Sequence, residues 1–236
     1  MTKNAIITGA SAGLGRALAT TLARADWRLT LDGRRAGPLE DVRRRLAEHT
    51  QVRAVVGDVS DPVHRRLLLQ TAESLGPVDV LVNNASELGG SPPPRLRDLT
   101  VDVLHRLLEV NVSAPQALAR AALPLLSEHA VVLNVSSDAG VEHYEGWGGY
   151  GATKAALDHL TLTWAAEEPQ HRWYAVDPGD LRTALHQAAY PGEDISDRPE
   201  PESVVPVLVA LITGGRPSGR YAVADLTTEL AEASSR

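Results

Sequence analysis

The stretch Ala5-Ile6-Ile7-Thr8-Gly9-Ala10-Ser11-Ala12-Gly13-Leu14-Gly15 decides the fold of this chain. It begins as a short apolar run that predicts a β-strand, and apolar residues then recur at helical spacing up to Ala25. A strand, a glycine turn and a helix in that order present backbone amides and the positive end of a helix dipole to a phosphate group. The glycines let the backbone come close to such a ligand. The stretch therefore predicts a pyrophosphate-binding turn, with a tight turn that binds nothing as the alternative.

Apolar runs of strand length alternate with helical patterns along the rest of the chain. The predicted strands after the first are residues 27–31, 51–56, 78–82, 130–135, 172–176 and 220–223. Such alternation is typical of a parallel, doubly wound sheet with helices on both faces, here of about seven strands. Because no linker or internal repeat interrupts the pattern, the sequence predicts one α/β domain over residues 1–236.

Three segments carry mixed signals. Residues 101–127 predict one long helix, although Asn111 is a poor interior helix residue and Pro115 removes a backbone donor. Residues 180–200 have no clear period, which is typical of a functional loop, and we expect them to form a substrate lid. The tail from Thr227 is predicted to fray.

The composition excludes several classes of function. The formal net charge of −7 argues against a nucleic-acid binder, which needs a basic face. Cysteine is absent, so disulfides, thiolate catalysis and cysteine-based metal sites are excluded, and no histidine cluster has metal-ligand spacing. No apolar run approaches the ~20 residues of a membrane span, and the N-terminal residues lack the pattern of a signal peptide. We therefore expect a cytoplasmic protein that binds no metal, nucleic acid or membrane.

Polar residues follow several of the predicted strands, at the edge where ligands bind in an open parallel sheet. They are Asp58-Val59, Asn83-Asn84-Ala85, Ser136-Ser137 and Asp177-Pro178-Gly179. Asp58 has two interpretations: it could accept a hydrogen bond from an adenine amine, or it could cap the next helix, a role that Ser60 or Asp61 could share.

The end of the second strand bears on the choice of cofactor. Asp32 is followed closely by Arg34 and Arg35. In a dinucleotide fold an acidic residue in this region holds a ribose 2′-hydroxyl, whereas an arginine accommodates a 2′-phosphate. Because both residue types are present, these residues alone leave the choice open.

Tyr150 and Lys154 are four residues apart in the helix predicted after Ser137. Residues at this spacing share one face of a helix, so a phenol and an ammonium would lie side by side. The ammonium would lower the pKa of the phenol from its ordinary value near ~10, and such a phenol can exchange a proton with a substrate near neutral pH. The chain contains only two lysines, Lys3 and Lys154, against many arginines, which argues against a chance pairing. The alternative is a solvated helix face.

Taken together, these residues resemble the short-chain dehydrogenase/reductase family, in its compact single-domain branch, over nearly the whole chain. The resemblance is carried by the turn at residues 8–15, Asp58-Val59, Asn83-Asn84-Ala85, the set Asn111, Ser137, Tyr150 and Lys154, and Pro178-Gly179 with Thr183. It implies a Rossmann-like fold and a hydride transfer between a nicotinamide cofactor and a carbonyl compound or secondary alcohol.

The resemblance also implies a role for each catalytic residue. Tyr150 would be the general acid and base, and Lys154 would lower its pKa and bind the nicotinamide ribose. Ser137 would hydrogen-bond the substrate oxygen, and Asn111 would hold a water that links Lys154 to solvent. The cofactor-binding residues that it implies are Gly9, Ser11, Gly13, Leu14, Gly15, Arg34, Arg35, Asp58, Val59, Asn84, Ala85, Tyr150, Lys154, Pro178, Gly179, Leu181 and Thr183.

Comparison with the family pattern narrows the choice of cofactor. The acid of NAD-dependent members would fall at Gly33 rather than at Asp32. Arg34 falls where NADP-dependent members carry a basic residue, and Ser11 lies in the turn near the same phosphate. We therefore expect NADP(H), with NAD(H) as the alternative. Ser86 replaces a glycine of the family pattern, and we expect a small local change there.

The substrate pocket is predicted from the loops beside these residues, with residues 181–199 as its lid. The residues expected to line it, which are mostly polar or aromatic, are Glu87, Leu88, Glu142, His143, Tyr144 and Trp147. This mixture does not favour an apolar, steroid-like ligand. His143 has an alternative interpretation as an exposed loop histidine.

The resemblance finally implies partners and competing functions. We expect a small-molecule carbonyl or alcohol substrate and a homodimer or homotetramer formed through the two long helices after the fourth and fifth strands. A non-catalytic, regulatory dinucleotide-binding protein on the same fold is the competing hypothesis. A sugar epimerase or dehydratase of the longer branch is disfavoured, because the pattern shows no added substrate domain.

Overall fold

The computed structural model describes residues 2–234 of the chain, and its side chains up to residue 229. Its centre is a sheet of seven parallel strands in the order β3-β2-β1-β4-β5-β6-β7. The strands are β1 (Asn4–Ile7), β2 (Arg28–Gly33), β3 (Val52–Val56), β4 (Val78–Asn83), β5 (Leu126–Val135), β6 (Arg172–Asp177) and β7 (Gly219–Ala222). The order reverses between β1 and β4, and ligands of such sheets bind outside the strand carboxyl ends at that point. The predicted doubly wound parallel sheet is confirmed.

Helices cover both faces of the sheet. They are α1 (Gly13–Arg24), α2 (Ala36–Leu46), α3 (Pro62–Glu73), α4 (Val101–Leu108), α5 (Ala114–Ala122), α6 (Gly148–Glu167), α7 (Ala184–Ala189), α8 (Val205–Gly214) and α9 (Val223–Ser234). Side chains alternate along a strand, so Ala5 and Ile7 pack with α1, α2, α8 and α9, whereas Ile6 packs with α3 and α5. This burial on both faces explains why the strands read as continuous apolar runs.

The segment predicted as one long helix is broken. It forms α4, a π-helical turn at Glu109–Ser113, α5 and a short 3₁₀ turn, and β5 begins already at Leu126. Pro115 stands in the first turn of α5, directly after the π-helical turn. The helical segment thus ends at Leu125, about two residues before its predicted end near residue 127. The wide turn contains Asn111, and π-helical turns inside α-helices occur frequently at functional sites.

Two helices occur where the sequence predicts none. α7 lies inside the loop predicted at residues 180–200, and Thr183 caps it by accepting a hydrogen bond from the amide of His186 (3.1 Å). α9 occupies the tail that is predicted to fray, because Val223 and Leu226 are buried in the same core layer as α8. Among the described residues, no helix combines the length and the apolar character that crossing a bilayer requires.

Candidate active site

A cavity of about 610 Å³ opens along the carboxyl edge of the sheet, beside the reversal of strand order. Its volume is typical of a site for a cofactor or a drug-sized ligand. All but one of the cofactor-binding residues predicted from the sequence line its wall. They are Gly9, Ser11, Gly13, Leu14, Arg34, Arg35, Asp58, Val59, Asn84, Ala85, Tyr150, Lys154, Pro178, Gly179, Leu181 and Thr183. Gly15 lies outside the wall and has a packing role.

The glycine turn is shaped by contacts that side chains would obstruct. Gly9 and Gly13 have positive φ angles of 65° and 53°, a conformation that L side chains rarely adopt. A Cβ on Gly15 would lie 2.6 Å from Nδ2 of Asn84. That same Nδ2 donates hydrogen bonds to the carbonyl oxygens of Thr8 (2.9 Å) and Gly9 (3.2 Å). Asn84 therefore holds the turn against the end of β4, and Gly15 leaves the space for it.

The N-terminus of α1 supplies donors for an anion. Its N-cap is Ala12, whose side chain has no atom that can accept a hydrogen bond. The first amides of the helix are therefore left for a ligand, and Gly13 and Leu14 line the cavity. This arrangement fits a pyrophosphate group.

Asp32, at the end of β2, is hydrogen-bonded to the glycine turn. Its side chain is 2% exposed. One carboxylate oxygen accepts a hydrogen bond from the amide of Gly9 (3.0 Å), and the other lies 2.5 Å from Nε2 of His64. Both oxygens are thus engaged by the protein, and Asp32 also lines the cavity.

Asp58 lies beside the adenosine end that the sequence predicts. Its Oδ1 accepts hydrogen bonds from the amide (2.9 Å) and the hydroxyl (2.7 Å) of Ser60, and its Oδ2 accepts one from Arg106 (2.6 Å). Partial burial alone would raise the pKa of Asp58, but these hydrogen bonds lower it to about 2. The cap of α3 is Asp61, which accepts a hydrogen bond from the amide of Val63 (2.8 Å). Asp58 is thus an ionised wall residue and does not cap the helix.

Glu87, predicted as a substrate contact, lines the cavity and is also held by two arginines. Its carboxylate forms an ion pair with Arg34 and accepts hydrogen bonds from Nη2 (3.1 Å) and Nε (3.2 Å) of Arg106. These contacts hold it among the charged side chains at the adenosine end of the wall, near Asp58.

Asn111 ties the end of β4 to α6 through four hydrogen bonds. Its Oδ1 accepts from the hydroxyl of Ser86 (3.1 Å) and the amide of Glu87 (2.9 Å). Its Nδ2 donates to the carbonyl of Glu87 (2.9 Å) and to Oγ1 of Thr153 (3.1 Å). These bonds use the full hydrogen-bonding capacity of an amide side chain. The side chain of Asn111 is therefore fully engaged by the protein.

Tyr150 and Lys154 lie side by side on α6, and both are buried. Nζ of Lys154 is 5.3 Å from the centroid of the Tyr150 ring and donates a 2.7 Å hydrogen bond to the carbonyl of Val135. Burial lowers the pKa of Lys154 from 10.5 to about 8, and the nearby Asp158 carboxylate opposes this shift.

The pKa of Tyr150 is raised, contrary to prediction. Burial raises it well above the ordinary value of 10.0, the hydrogen bond with Ser86 lowers it, and the carboxylates of Asp177 and Asp138 raise it further. The ammonium of Lys154 is engaged by a backbone carbonyl and does not offset the loss of water around the phenol. The phenol is therefore protonated at neutral pH in this state.

Ser137 stands directly after β5. Its Oγ donates a hydrogen bond to Oδ1 of Asp138 (2.9 Å) and accepts one from the amide of Ala139 (3.2 Å). Ser137, Tyr150 and Lys154 line the same cavity. The structure thus brings three of the four predicted catalytic residues to one wall, while the fourth is buried outside it.

Aromatic and apolar side chains surround this end of the cavity. Trp147 meets Tyr150 edge-on with ring centroids 5.5 Å apart, and Tyr190 lies 6.2 Å from Trp147. Leu88 is buried in the same cluster as Tyr150. Trp147 and Tyr144, both predicted as substrate contacts, line the cavity.

The remaining predicted pocket residues, Glu142 and His143, are exposed in the loop before α6 and lie outside the wall. For His143 this favours the alternative interpretation as an exposed loop histidine. The wall instead contains His186 and Tyr190, which the sequence analysis misses because residues 180–200 have no clear period. The capping residue Thr183, three positions before His186, is the one local signal of a helix there.

Comparison with known proteins identifies the family. A profile described as short chain dehydrogenase matches residues 3–194. The chain belongs to this family. An uncharacterized oxidoreductase of Saccharomyces cerevisiae is 33% identical over 189 residues, which cover 78% of this chain and 73% of the yeast protein. The short-chain dehydrogenase/reductase FrzI of Cladobotryum is 32% identical over 192 residues, which cover 78% and 72% of the two chains.

Solved structures of short-chain dehydrogenases share the fold over nearly the whole chain. An alcohol dehydrogenase from the archaeon Thermococcus sibiricus, complexed with 5-hydroxy-NADP, superposes with a TM-score of 0.85 at 28% identity and covers 94% of this chain and 96% of its own. A short chain dehydrogenase from Burkholderia cenocepacia, in complex with NADP, gives a TM-score of 0.83 at 26% identity, with 93% and 95% covered.

Short-chain dehydrogenases bind a nicotinamide dinucleotide, and the residues present here fit that group. The turn at Gly9 and Gly13 carries no side chain that would fill the cradle, and α1 leaves its first amides for the pyrophosphate. The cavity extends from this turn to Tyr150, where the reactive end of the cofactor would be held.

Ser86 marks where this short-chain dehydrogenase departs from its family pattern. It has no positive φ angle, so a Cβ is accepted there without backbone strain. Its hydroxyl donates a hydrogen bond to Oδ1 of Asn111 (3.1 Å), and it is close enough to the phenol of Tyr150 to lower the pKa of that group. The expected local change is therefore an added polar contact between two predicted catalytic residues.

Proposed function

We propose that this protein is an NADP(H)-dependent oxidoreductase that interconverts a small carbonyl compound and the corresponding alcohol, with Tyr150 as the general acid and base. The observation that carries the proposal is the single cavity that joins the glycine turn to Ser137, Tyr150 and Lys154. A cavity that held only a dinucleotide would not need a phenol and a hydroxyl on the same wall at its far end.

Ser137, Tyr150 and Lys154 would have different roles at the substrate oxygen. Ser137, whose hydroxyl now donates to Asp138, would turn to the substrate oxygen and stabilise the negative charge that develops there. Tyr150 would donate its proton to that oxygen. Lys154, with a pKa near 8, is mostly an ammonium at neutral pH and keeps a positive charge beside the phenol. When bound, the nicotinamide ring supplies or accepts the hydride.

The protonated phenol of Tyr150 is the form that carbonyl reduction requires. Burial keeps the phenol protonated, and reduction of a carbonyl requires a proton donor at the substrate oxygen. Alcohol oxidation requires the phenolate, which this environment disfavours.

The end of β2 supports NADP(H) over NAD(H). Arg34 and Arg35 line the cavity, and Arg34 is largely exposed. The side chain of Ser11 packs beside Gly33, so Ser11 and Arg34 are the residues that would hold a 2′-phosphate. Both oxygens of the Asp32 carboxylate are already engaged by Gly9 and His64, which makes Asp32 a poorer partner for a 2′-hydroxyl. The NADP complexes of two related structures support the same choice.

The substrate would be a small carbonyl compound that packs against Trp147 and Tyr190, with α7 and its flanking loops as the lid. We also propose a homodimer or homotetramer through α5 and α6. Leu162 on α6 is 45% exposed and would be covered by such an assembly.

A spectrophotometric screen tests the function. Purified protein is given NADPH or NADH with a panel of aldehydes and ketones that includes aryl ketones, and the loss of reduced nicotinamide is followed. We expect turnover with NADPH to exceed turnover with NADH. Tight binding of NADPH without turnover across the panel would support a non-catalytic, regulatory protein instead.

A further inference from the structure

Four charged side chains form a continuous network at the adenosine end of the cavity. Arg34 pairs with Glu87, Glu87 with Arg106, and Arg106 with Asp58. We refer to these four residues as the rim network. Three of its members, Arg34, Glu87 and Asp58, line the cavity.

The ion pair between Arg34 and Glu87 spans the mouth of the turn. Arg34 follows β2 and Glu87 follows β4, and these strands flank β1 in the sheet. The glycine turn starts at the end of β1, so the pair crosses above the entrance to the phosphate-binding turn.

The two partners are held very differently. The Glu87 side chain is 18% exposed, its backbone is fixed on both sides by Asn111, and its carboxylate also binds Arg106. The Arg34 side chain is 58% exposed, and among the described residues Glu87 is its ion-pair partner. Arg34 is therefore the member that can move, and Arg106 still compensates the carboxylate when it does.

We propose that Glu87 is a specificity-determining residue, because its carboxylate competes with the 2′-phosphate of NADP(H) for Arg34. This inference rests on the proposed function and deepens it. Arg34 exchanges between the carboxylate in the free protein and the phosphate in the complex. A 2′-hydroxyl carries no charge and gains nothing from this exchange. The charge on Glu87 thus weakens NADP(H) binding and leaves NAD(H) binding nearly unchanged.

The experiment compares wild type with Glu87→Gln, which keeps the size of the side chain and removes its charge. Calorimetry measures Kd for NADP⁺, NAD⁺, adenosine 2′,5′-bisphosphate and 5′-AMP, without turnover. We expect the two ligands with a 2′-phosphate to bind about 3- to 5-fold tighter, the scale of an exposed ion pair, and the other two to change less than about 2-fold. Equal changes for both classes, or weaker binding of NADP⁺, would overturn the inference.

A matched control separates the local effect from the change in net charge. Glu109 also contacts Arg106, at 3.4 Å, but it does not contact Arg34. Glu109→Gln therefore removes the same charge from the same neighbourhood. We expect no selective gain for NADP⁺ with Glu109→Gln. In an Arg34→Ala background, Glu87→Gln should no longer tighten the binding of NADP⁺ selectively. The same selective gain in that background would contradict the exchange of Arg34 between Glu87 and the 2′-phosphate.

Two further points keep the test decisive. If Glu87→Gln does not fold, Glu87→Asp retains the charge with a shorter reach, and it should tighten NADP⁺ binding by a smaller factor. No binding of any dinucleotide by the wild type would overturn the proposed function together with this inference. Binding of NADP⁺ with the same Kd in wild type and Glu87→Gln would overturn this inference alone.

Discussion

Nζ of Lys154 donates a 2.7 Å hydrogen bond to the carbonyl oxygen of Val135, at the carboxyl end of β5. The lysine is 2% exposed, and burial lowers its pKa to about 8. An ammonium is thus held next to the cavity in an environment that disfavours its charge. Such a site is destabilising for the fold and suits function, since buried charges are costly unless they are fully compensated.

We predict that Lys154→Met abolishes turnover and stabilises the free protein by about 1–3 kcal/mol near neutral pH, because each pKa unit corresponds to ~1.4 kcal/mol. The stability gain should depend on pH. Below pH about 8 the wild-type lysine is protonated in both states and carries the full cost. Between pH about 8 and 10.5 the folded state releases the proton first, so wild-type stability recovers. Urea unfolding of both proteins across this window should show the difference shrinking, and a constant difference would contradict the assignment.

Tyr150→Phe should reduce turnover by at least ~100-fold, the scale of a positioned general acid. Dinucleotide binding should stay within about 2-fold of wild type, because the ring and its contact with Trp147 remain. Steady-state kinetics and fluorescence titration measure the two quantities. Tyr221→Phe is the control, since its hydroxyl bonds the carbonyl of Pro217 away from the cavity. Turnover near the wild-type value in Tyr150→Phe would refute the role.

Arg34→Ala should weaken NADPH binding by ~1.5–3 kcal/mol, the worth of a hydrogen bond to a charged group, with little effect on NADH. The reason is that the 2′-phosphate is the only difference between the two cofactors. Calorimetric Kd values for both cofactors provide the measurement. Arg44→Ala is the control, because Arg44 is exposed on α2 and pairs with Asp41. A similar loss of affinity for NADPH and NADH would instead indicate that Arg34 contacts a part of the molecule that both cofactors have.

Ser86→Gly should raise the pKa of Tyr150, since the hydrogen bond with Ser86 lowers that pKa in the structure. Losing a hydrogen bond of ~0.5–1.5 kcal/mol shifts a pKa by about half to one pH unit. Alcohol oxidation needs the phenolate, so its pH–rate profile should move to higher pH by that amount. Ser86→Ala separates the hydroxyl from the backbone effect of glycine. An unmoved profile in both variants would remove Ser86 from the proton path.

The order of motifs in the sequence is enough to predict the doubly wound sheet and the residues of the cavity wall. Parallel strands separated by helices bring their carboxyl ends to one edge whatever the details of packing. Gly9, Gly13, Ser137 and Tyr150 therefore reach the same cavity from distant parts of the chain. The residues of the cavity wall can therefore be predicted from each strand and the few residues that follow it in the sequence.

Other features could not be predicted from the sequence, because they depend on contacts between residues that are far apart in the chain. The helix predicted over residues 101–127 widens to a π-helical turn around Asn111, whose four hydrogen bonds go to residues that follow β4 and to α6. The tail forms α9 because Val223 and Leu226 find buried positions in the core layer that includes α8. Glu87 pairs with Arg34 because the folded sheet places the ends of β4 and β2 on either side of β1.

The sequence by itself determined the nucleotide turn, the alternation of strands and helices, and which phenol, hydroxyl and amine meet at the sheet edge. Local spacing and chain order contain that information. Only the tertiary structure decided that Tyr150 is harder to ionise than a free phenol, that Lys154 faces a backbone carbonyl, and that Glu87 binds Arg34. Desolvation and ion pairing depend on what surrounds a group in three dimensions, and no spacing along the chain specifies that.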